Sequence, residues 1–102
     1  MKPVILNDVL AVVSVLSVLP ETQRPAALQQ LFNEAEEAAR FGAENGKSHP
    51  VFGDGSLQTA ALRHGVHGET SLNTLNGVAS WIATFQGLHA RLVSQTHSSH
   101  SG

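Results

Sequence analysis

The stretch PAALQQLFNEAEEAARFGAE, Pro25 to Glu44, decides the fold class. Leu28, Leu31, Phe32, Ala35, Ala38, Ala39 and Gly42 recur at helical spacing and form one apolar stripe. Gln29, Gln30, Asn33, Glu34, Glu36, Glu37, Arg40 and Glu44 fill the remaining arc, so the segment reads as a helix with a solvated outer side. Pro25 suits the first turn, and Asn45-Gly46 ends the helix because both residues tolerate the left-handed conformation. Glu36 and Arg40 stand four apart, the spacing of a weak supporting ion pair. Glu34, Glu36 and Glu37 read as solvated surface, since the helix spreads them around its polar side.

Working outward, Asn7 or Asp8 is placed to cap a helix that runs to about Leu19, where Pro20 prevents continuation. Its Leu6, Val9, Leu10, Val13 and Leu16 keep helical spacing, while Val12, Val15 and Val18 fill the other side. A helix apolar all round belongs in the middle of a bundle; the β-branched content leaves a buried strand as the alternative. On the other flank, Lys47 to Ser56 is a loop of turn formers, and Ser56 caps a short helix from Leu57 to His64 with Leu57, Ala60, Ala61 and His64 inward. Gly65 to Ser71 is a second loop, after which Thr70 or Ser71 caps a long final helix. The expected architecture is all-α, a small four-helix domain with helices over about 8–19, 25–45, 57–64 and 71–95. The second helix should be the most exposed. Residues 1–96 form the single domain and 97–102 a flexible polar tail.

A chain of 102 residues and 10.8 kDa sustains one modest core. With no cysteine, disulfides and thiolate chemistry are excluded and a reducing compartment is favoured. Six Lys and Arg against eight Asp and Glu leave a formal charge of -2, which provides no basic field for nucleic acid or anionic lipid. Helix-turn-helix DNA binding would need cations near Ser56 to His64, where Arg63 stands alone. Asn7 and Asp8 interrupt any secretory apolar region, and Val9 to Leu19 is short of the roughly 20 residues a bilayer demands. The expectation is a cytoplasmic protein with no membrane partner. Leu19-Pro20-Glu21-Thr22-Gln23 approaches a cell-wall sorting signal, but Gln23 breaks it.

Charge is unevenly spread. Eight of the fourteen charged residues lie between Glu21 and Lys47, whereas Thr70 to Gly102 carries only Arg91, which suggests that the last helix is shielded from water. Leu75, Val78, Ile82, Phe85, His89 and Leu92 alternate spacings of three and four, the pattern of a seam packed on neighbouring helices. His89 within it reads as a partly buried histidine. Opposite runs a stripe of mainly small residues, Gly77, Ser80, Thr84, Gly87, Arg91 and Ser94. Helical glycine costs about 1 kcal/mol relative to alanine, so two of them point to close approach of another backbone. That backbone belongs either to this domain, with both faces used internally, or to a protein partner or second copy. On the second reading the candidate interface is Gly77, Trp81, Thr84, Phe85, Gly87 and Leu88, with Trp81, Phe85 and Leu88 as anchors, and Gly87→Leu is expected to weaken assembly while leaving a folded monomer.

For chemistry, His49-Pro50-Val51-Phe52-Gly53-Asp54-Gly55-Ser56 contains a base, a carboxylate and a hydroxyl without the G-x-S-x-G signature. The structural reading has Pro50 stiffening the loop, Phe52 anchoring it to the core, Asp54-Gly55 turning the chain and Ser56 capping. The functional reading makes His49, Phe52, Asp54 and Ser56 a ligand loop, with His49 and Asp54 as a proton-transfer pair. His64 and His67 with Glu69 have partial metal-ligand spacing, but Gly65 separates them and no third ligand follows, so no metal and no cofactor is assigned. His97 and His100 in the tail could bind metals only adventitiously. No residue is assigned as catalytic. The chain reads as a non-catalytic interaction or regulatory module acting through its last helix, with a small enzyme or ligand binder built on His49, Asp54 and Ser56 as the alternative.

Lys2-Pro3-Val4 with Asp8-Val9, and His49 to Leu57 after a glutamate- and alanine-rich helix, resemble a family of short uncharacterised bacterial proteins, a domain of unknown function. The resemblance spans roughly the first sixty residues and leaves the final helix outside. It implies a natural small bacterial domain and no particular chemistry.

Overall fold

The computed structural model describes residues 1–65 and 67–100, and the side chains of 1–65 and 67–96. Among the described residues the order is α1 (Leu6–Ser17), a 3₁₀ turn (Glu21–Gln23), α2 (Arg24–Asn45), α3 (Leu57–Arg63) and α4 (Leu75–His100), with no strand. The valine-rich first segment is therefore a helix. It lies centrally, packed on α2, α3 and α4, and is buried from Asp8 and Val9 through Ser17 with Leu10 half-buried. Val12, Leu16, Leu28, Leu31, Phe32, Ala35, Leu57, Ala60 and Ala61 make the continuous core. α2 contributes the stripe expected of it, although Ala39 and Gly42 at its far end are only half-buried. Gly46 closes α2 in the left-handed region at φ 68°.

The helix beginnings are fixed by local polar groups. α1 starts earlier than expected, after Ile5, because Asp8 acts from the third helical position: its Oδ2 accepts the Ile5 N–H at 2.8 Å. The same carboxylate reaches across the fold, Oδ1 accepting the Gln58 N–H in the first turn of α3 at 2.7 Å. Ser56 caps α3 as expected, its Oγ accepting the Thr59 N–H at 3.2 Å. α4 is capped by Thr74 and not by Thr70 or Ser71. Thr74 Oγ1 accepts the Gly77 N–H at 3.0 Å, whereas Thr70 offers its carbonyl to the Trp81 indole and Ser71 Oγ accepts the Asn73 N–H. At the far end the backbone stays helical to His100 instead of stopping near residue 95.

Arg24 joins three elements. Its Nε donates to the Leu16 and Leu19 carbonyls at the end of α1, and its Nη2 donates to Asn76 Oδ1 at the start of α4. Asn76 in turn donates to the Ser17 carbonyl at 2.9 Å. A cation at a helix C-terminus is favourable both as a donor to the orphan carbonyls and as a charge against the dipole.

α4 is oriented opposite to the expected sense. Gly77, Ser80 and Thr84 are buried against the domain, Gly87 and Leu88 are half-buried, and Arg91 turns inward over the Phe32 ring at 5.0 Å. The seam of large apolar residues points to water, and α4, not α2, is the most exposed helix. Close packing decides this orientation: a Cβ built at Gly77 would stand 1.9 Å from the Ser71 carbonyl oxygen, and one at Gly87 2.1 Å from Leu28 Cδ2. Only the small-residue stripe lets α4 lie this close to its own domain.

Candidate functional site

In the loop between α2 and α3, the His49 ring stacks on Phe52 at 4.7 Å and meets the edge of Phe41 at 4.9 Å. Its Nδ1 accepts the N–H groups of Val51 and Phe52, both at 3.0 Å, and its backbone pairs in both directions with Gly53. Gly53 and Gly55 hold φ 89° and 92°, which permits the tight reversal. Asp54 Oδ1 accepts the Ser56 N–H at 2.9 Å and the Thr59 hydroxyl at 3.0 Å, while Oδ2 pairs with Lys2 Nζ at 3.0 Å. The Ser56 bonds first, then the Lys2 ammonium, hold the Asp54 carboxyl far below the usual carboxylate range. A carboxylate so stabilised is a weak base. His49, Asp54 and Ser56 thus lie in one loop, but each hydrogen-bonds the turn backbone and no bond links His49 to Asp54. Phe52 packs on His49 and lies under the Arg63 guanidinium at 5.2 Å, outside the main core it was expected to join.

A polar cluster that sequence spacing did not single out lies next to this loop. Glu34, expected to be solvated, is buried on α2, where it is paired with Arg63 and lies 3.0 Å from His64 Nε2. Burial pushes its carboxyl up, and the hydrogen bonds from His64 and Arg63 more than reverse this, leaving it below its ordinary value. Glu36 pairs with Arg91 and the Met1 amino group, and Arg40 with Glu37, so the expected Glu36–Arg40 pair is replaced. Arg91 is the nearer and better-placed cation because α4 crosses α2 there. Gly65 breaks the chain direction at φ 82°, and His64 is committed to Glu34. Among the described residues no group of three or more His, Asp or Glu is arranged to hold a metal, and the side chains of His97 and His100 lie outside those residues.

Of the candidate interface, Gly77, Thr84, Gly87 and Leu88 belong to the inward stripe and contact their own domain. Ser80 and Thr84 return their hydroxyls to the Asn76 and Ser80 carbonyls at 2.8 Å, so this buried stripe offers no unpaired polar side chain there. A side chain at Gly87 would meet Leu28, so Gly87→Leu disturbs packing within the domain itself. Trp81 is half-buried, its indole held by the Thr70 carbonyl, and Phe85 is exposed, with the two rings 5.9 Å apart. The outer face of α4 presents Leu75, Val78, Ile82, Phe85 and Leu92, exposed by 93, 37, 50, 53 and 61%. His89, expected to be partly buried in a seam, is exposed in the same line. Beside this face, a shallow groove of about 530 Å³ runs between α2 and α4, lined by Leu28, Phe32, Ala83, Gly87 and Ala90. No described helix is long and apolar enough to cross a membrane.

The spacing of the outer residues was legible in the sequence; which way they face was not, because the decisive term is how closely small residues let two backbones approach. No curated protein and no solved structure matches the chain. A family model matches residues 2–88, a stretch that runs through the first half of α4 and so beyond the sixty residues the sequence resemblance spans. The chain therefore belongs to the domain of unknown function DUF7742.

Proposed function

We propose that this chain is a non-catalytic protein-interaction module whose docking surface is the outer face of α4. The observation that carries the reading is the row Leu75, Val78, Ile82, Phe85 and Leu92, all exposed on one helix face. Large apolar side chains in a continuous exposed row mark a site meant to be covered, whereas scattered ones do not. The charge pattern supports the same reading: Arg91, the lone charged residue of α4, is turned inward to Glu36, which leaves the outer face without formal charge. The enzyme alternative draws less support, since His49 Nδ1 and Asp54 Oδ1 are engaged in holding the turn and the start of α3.

Purification from the native host under gentle conditions tests this. Ile82→Glu/Phe85→Glu should keep the helical circular dichroism and melting temperature of the parent yet lose whatever chains, own or foreign, co-purify stoichiometrically with it. Identical co-purifying chains for parent and double variant would overturn the reading.

A further inference from the structure

Resting on that reading, we infer that the occupant of the outer α4 face is a second copy of the chain, laid antiparallel against the first. Three observations carry it. The exposed positions Leu75, Val78, Ile82, Phe85, His89 and Leu92 are separated by 3, 4, 3, 4 and 3 residues, a series that reads the same in both directions. An antiparallel copy turned about a two-fold axis between Ile82 and Phe85 therefore meets the first in full register: Leu75 against Leu92 of the second copy, Val78 against His89, Ile82 against Phe85. Alternating spacings of three and four keep such a seam aligned along two helices, and a two-fold contact needs a patch that complements itself. A parallel pair would set His89 against His89 and align the two helix dipoles unfavourably.

The second observation is electrical. The face and its flanking positions Ala79, Gln86, Leu88, Val93 and Gln95 carry no Asp, Glu, Lys or Arg. Flanking charges are what normally select a foreign helix and an orientation, and these positions supply none; the charged groups bordering the face at Leu88 and Leu92 are Lys2 and the mutually paired Glu36 and Arg91.

The third is size. Taking about 150 Å² for a large apolar side chain, the exposed fractions of Leu75, Val78, Ile82, Phe85, Leu92 and Val93 leave roughly 500 Å² of apolar surface per copy. Two copies that covered this surface completely would bury about 1,000 Å², the floor for a specific interface, over a helix length of about 26 Å. From Leu92 to Thr96 every described side chain of α4 is exposed, although Leu92, Ser94 and Gln95 border the grooves that α4 makes with Pro25 and with residues 1–4. In the antiparallel pair residues 92–96 lie against residues 71–75 of the second copy, the segment that leads into its α4.

Sedimentation equilibrium of the purified chain, from about 1 to 500 µM, provides the test. The parent should be a dimer at the upper end, and Ile82→Glu and Phe85→Lys should each weaken association by about 30-fold or more while retaining the parent's circular dichroism. Mixed in equal amounts, the two variants should form a heterodimer, because antiparallel register places the introduced carboxylate of one against the introduced ammonium of the other and leaves the symmetry-related layer, Phe85 against Ile82, unchanged. A parent that stays monomeric throughout overturns the second copy; the interaction reading then stands or falls separately on whether co-purification depends on this face. Dimers in both single variants, or two monomeric variants that do not associate on mixing, also overturn the inference.

Discussion

Gly87 occupies the interior of α4, where alanine is ordinarily better by about 1 kcal/mol, and Gly77 its first turn. At both positions the added methyl has no space: the Ser71 carbonyl stands 1.9 Å from a Cβ at Gly77, and the buried Leu28 side chain 2.1 Å from one at Gly87. The carbonyl is backbone and yields only if the segment before α4 moves, whereas Leu28 can adjust its rotamer in part. Gly77→Ala should therefore lower stability by about 2 kcal/mol, and more than Gly87→Ala, despite the gain in helix propensity. Urea unfolding followed by circular dichroism checks the order; a stabilised Gly77→Ala would mean that the close approach is absent. The expectation of a neighbouring backbone holds at Gly77, whereas at Gly87 the close neighbour is the Leu28 side chain. Whose backbone it was required knowing that residues 69–74 fold back across the start of α4.

At the scale of the elements, periodicity made the four helices legible, and cap chemistry made Ser56 and Gly46 legible. Thr74 was missed because Thr70, Ser71 and Thr74 are equivalent as cap residues by type, and the helix begins at Leu75, directly after Thr74. The link between α2 and α3 through Glu34, Arg63 and His64 was missed for a different reason: the partners are about thirty residues apart and nothing in their spacing announces them. Folding holds Glu34 below its ordinary value of 4.5, so its contribution is complete above that value and is lost as pH falls through the lower folded-state value. Glu34→Gln should cost about 2 kcal/mol near neutrality, where charge-assisted hydrogen bonds are removed from a buried site. Between about pH 5 and pH 3 its melting temperature should also fall less steeply than the parent's. Equal slopes in thermal melts across that range would assign the acid sensitivity to other carboxylates, such as Asp54 and Glu36, which are likewise held low.

For the whole molecule, Asp8 is a buried long-range connection. It is 3% exposed and binds the beginnings of two helices fifty residues apart. Asp8→Ala strands the Ile5 and Gln58 N–H groups and should destabilise by about 3 kcal/mol, measured by denaturant unfolding, with Asp8→Asn recovering part of the loss. A loss below about 0.5 kcal/mol would mean that water replaces the carboxylate at both ends. α3 has seven residues, too few to persist alone in water, so it survives only while α1 holds its first turn in place. Its amide hydrogens should consequently trade for deuterium at the pace of complete opening, making the shortest helix the slowest clock in the protein.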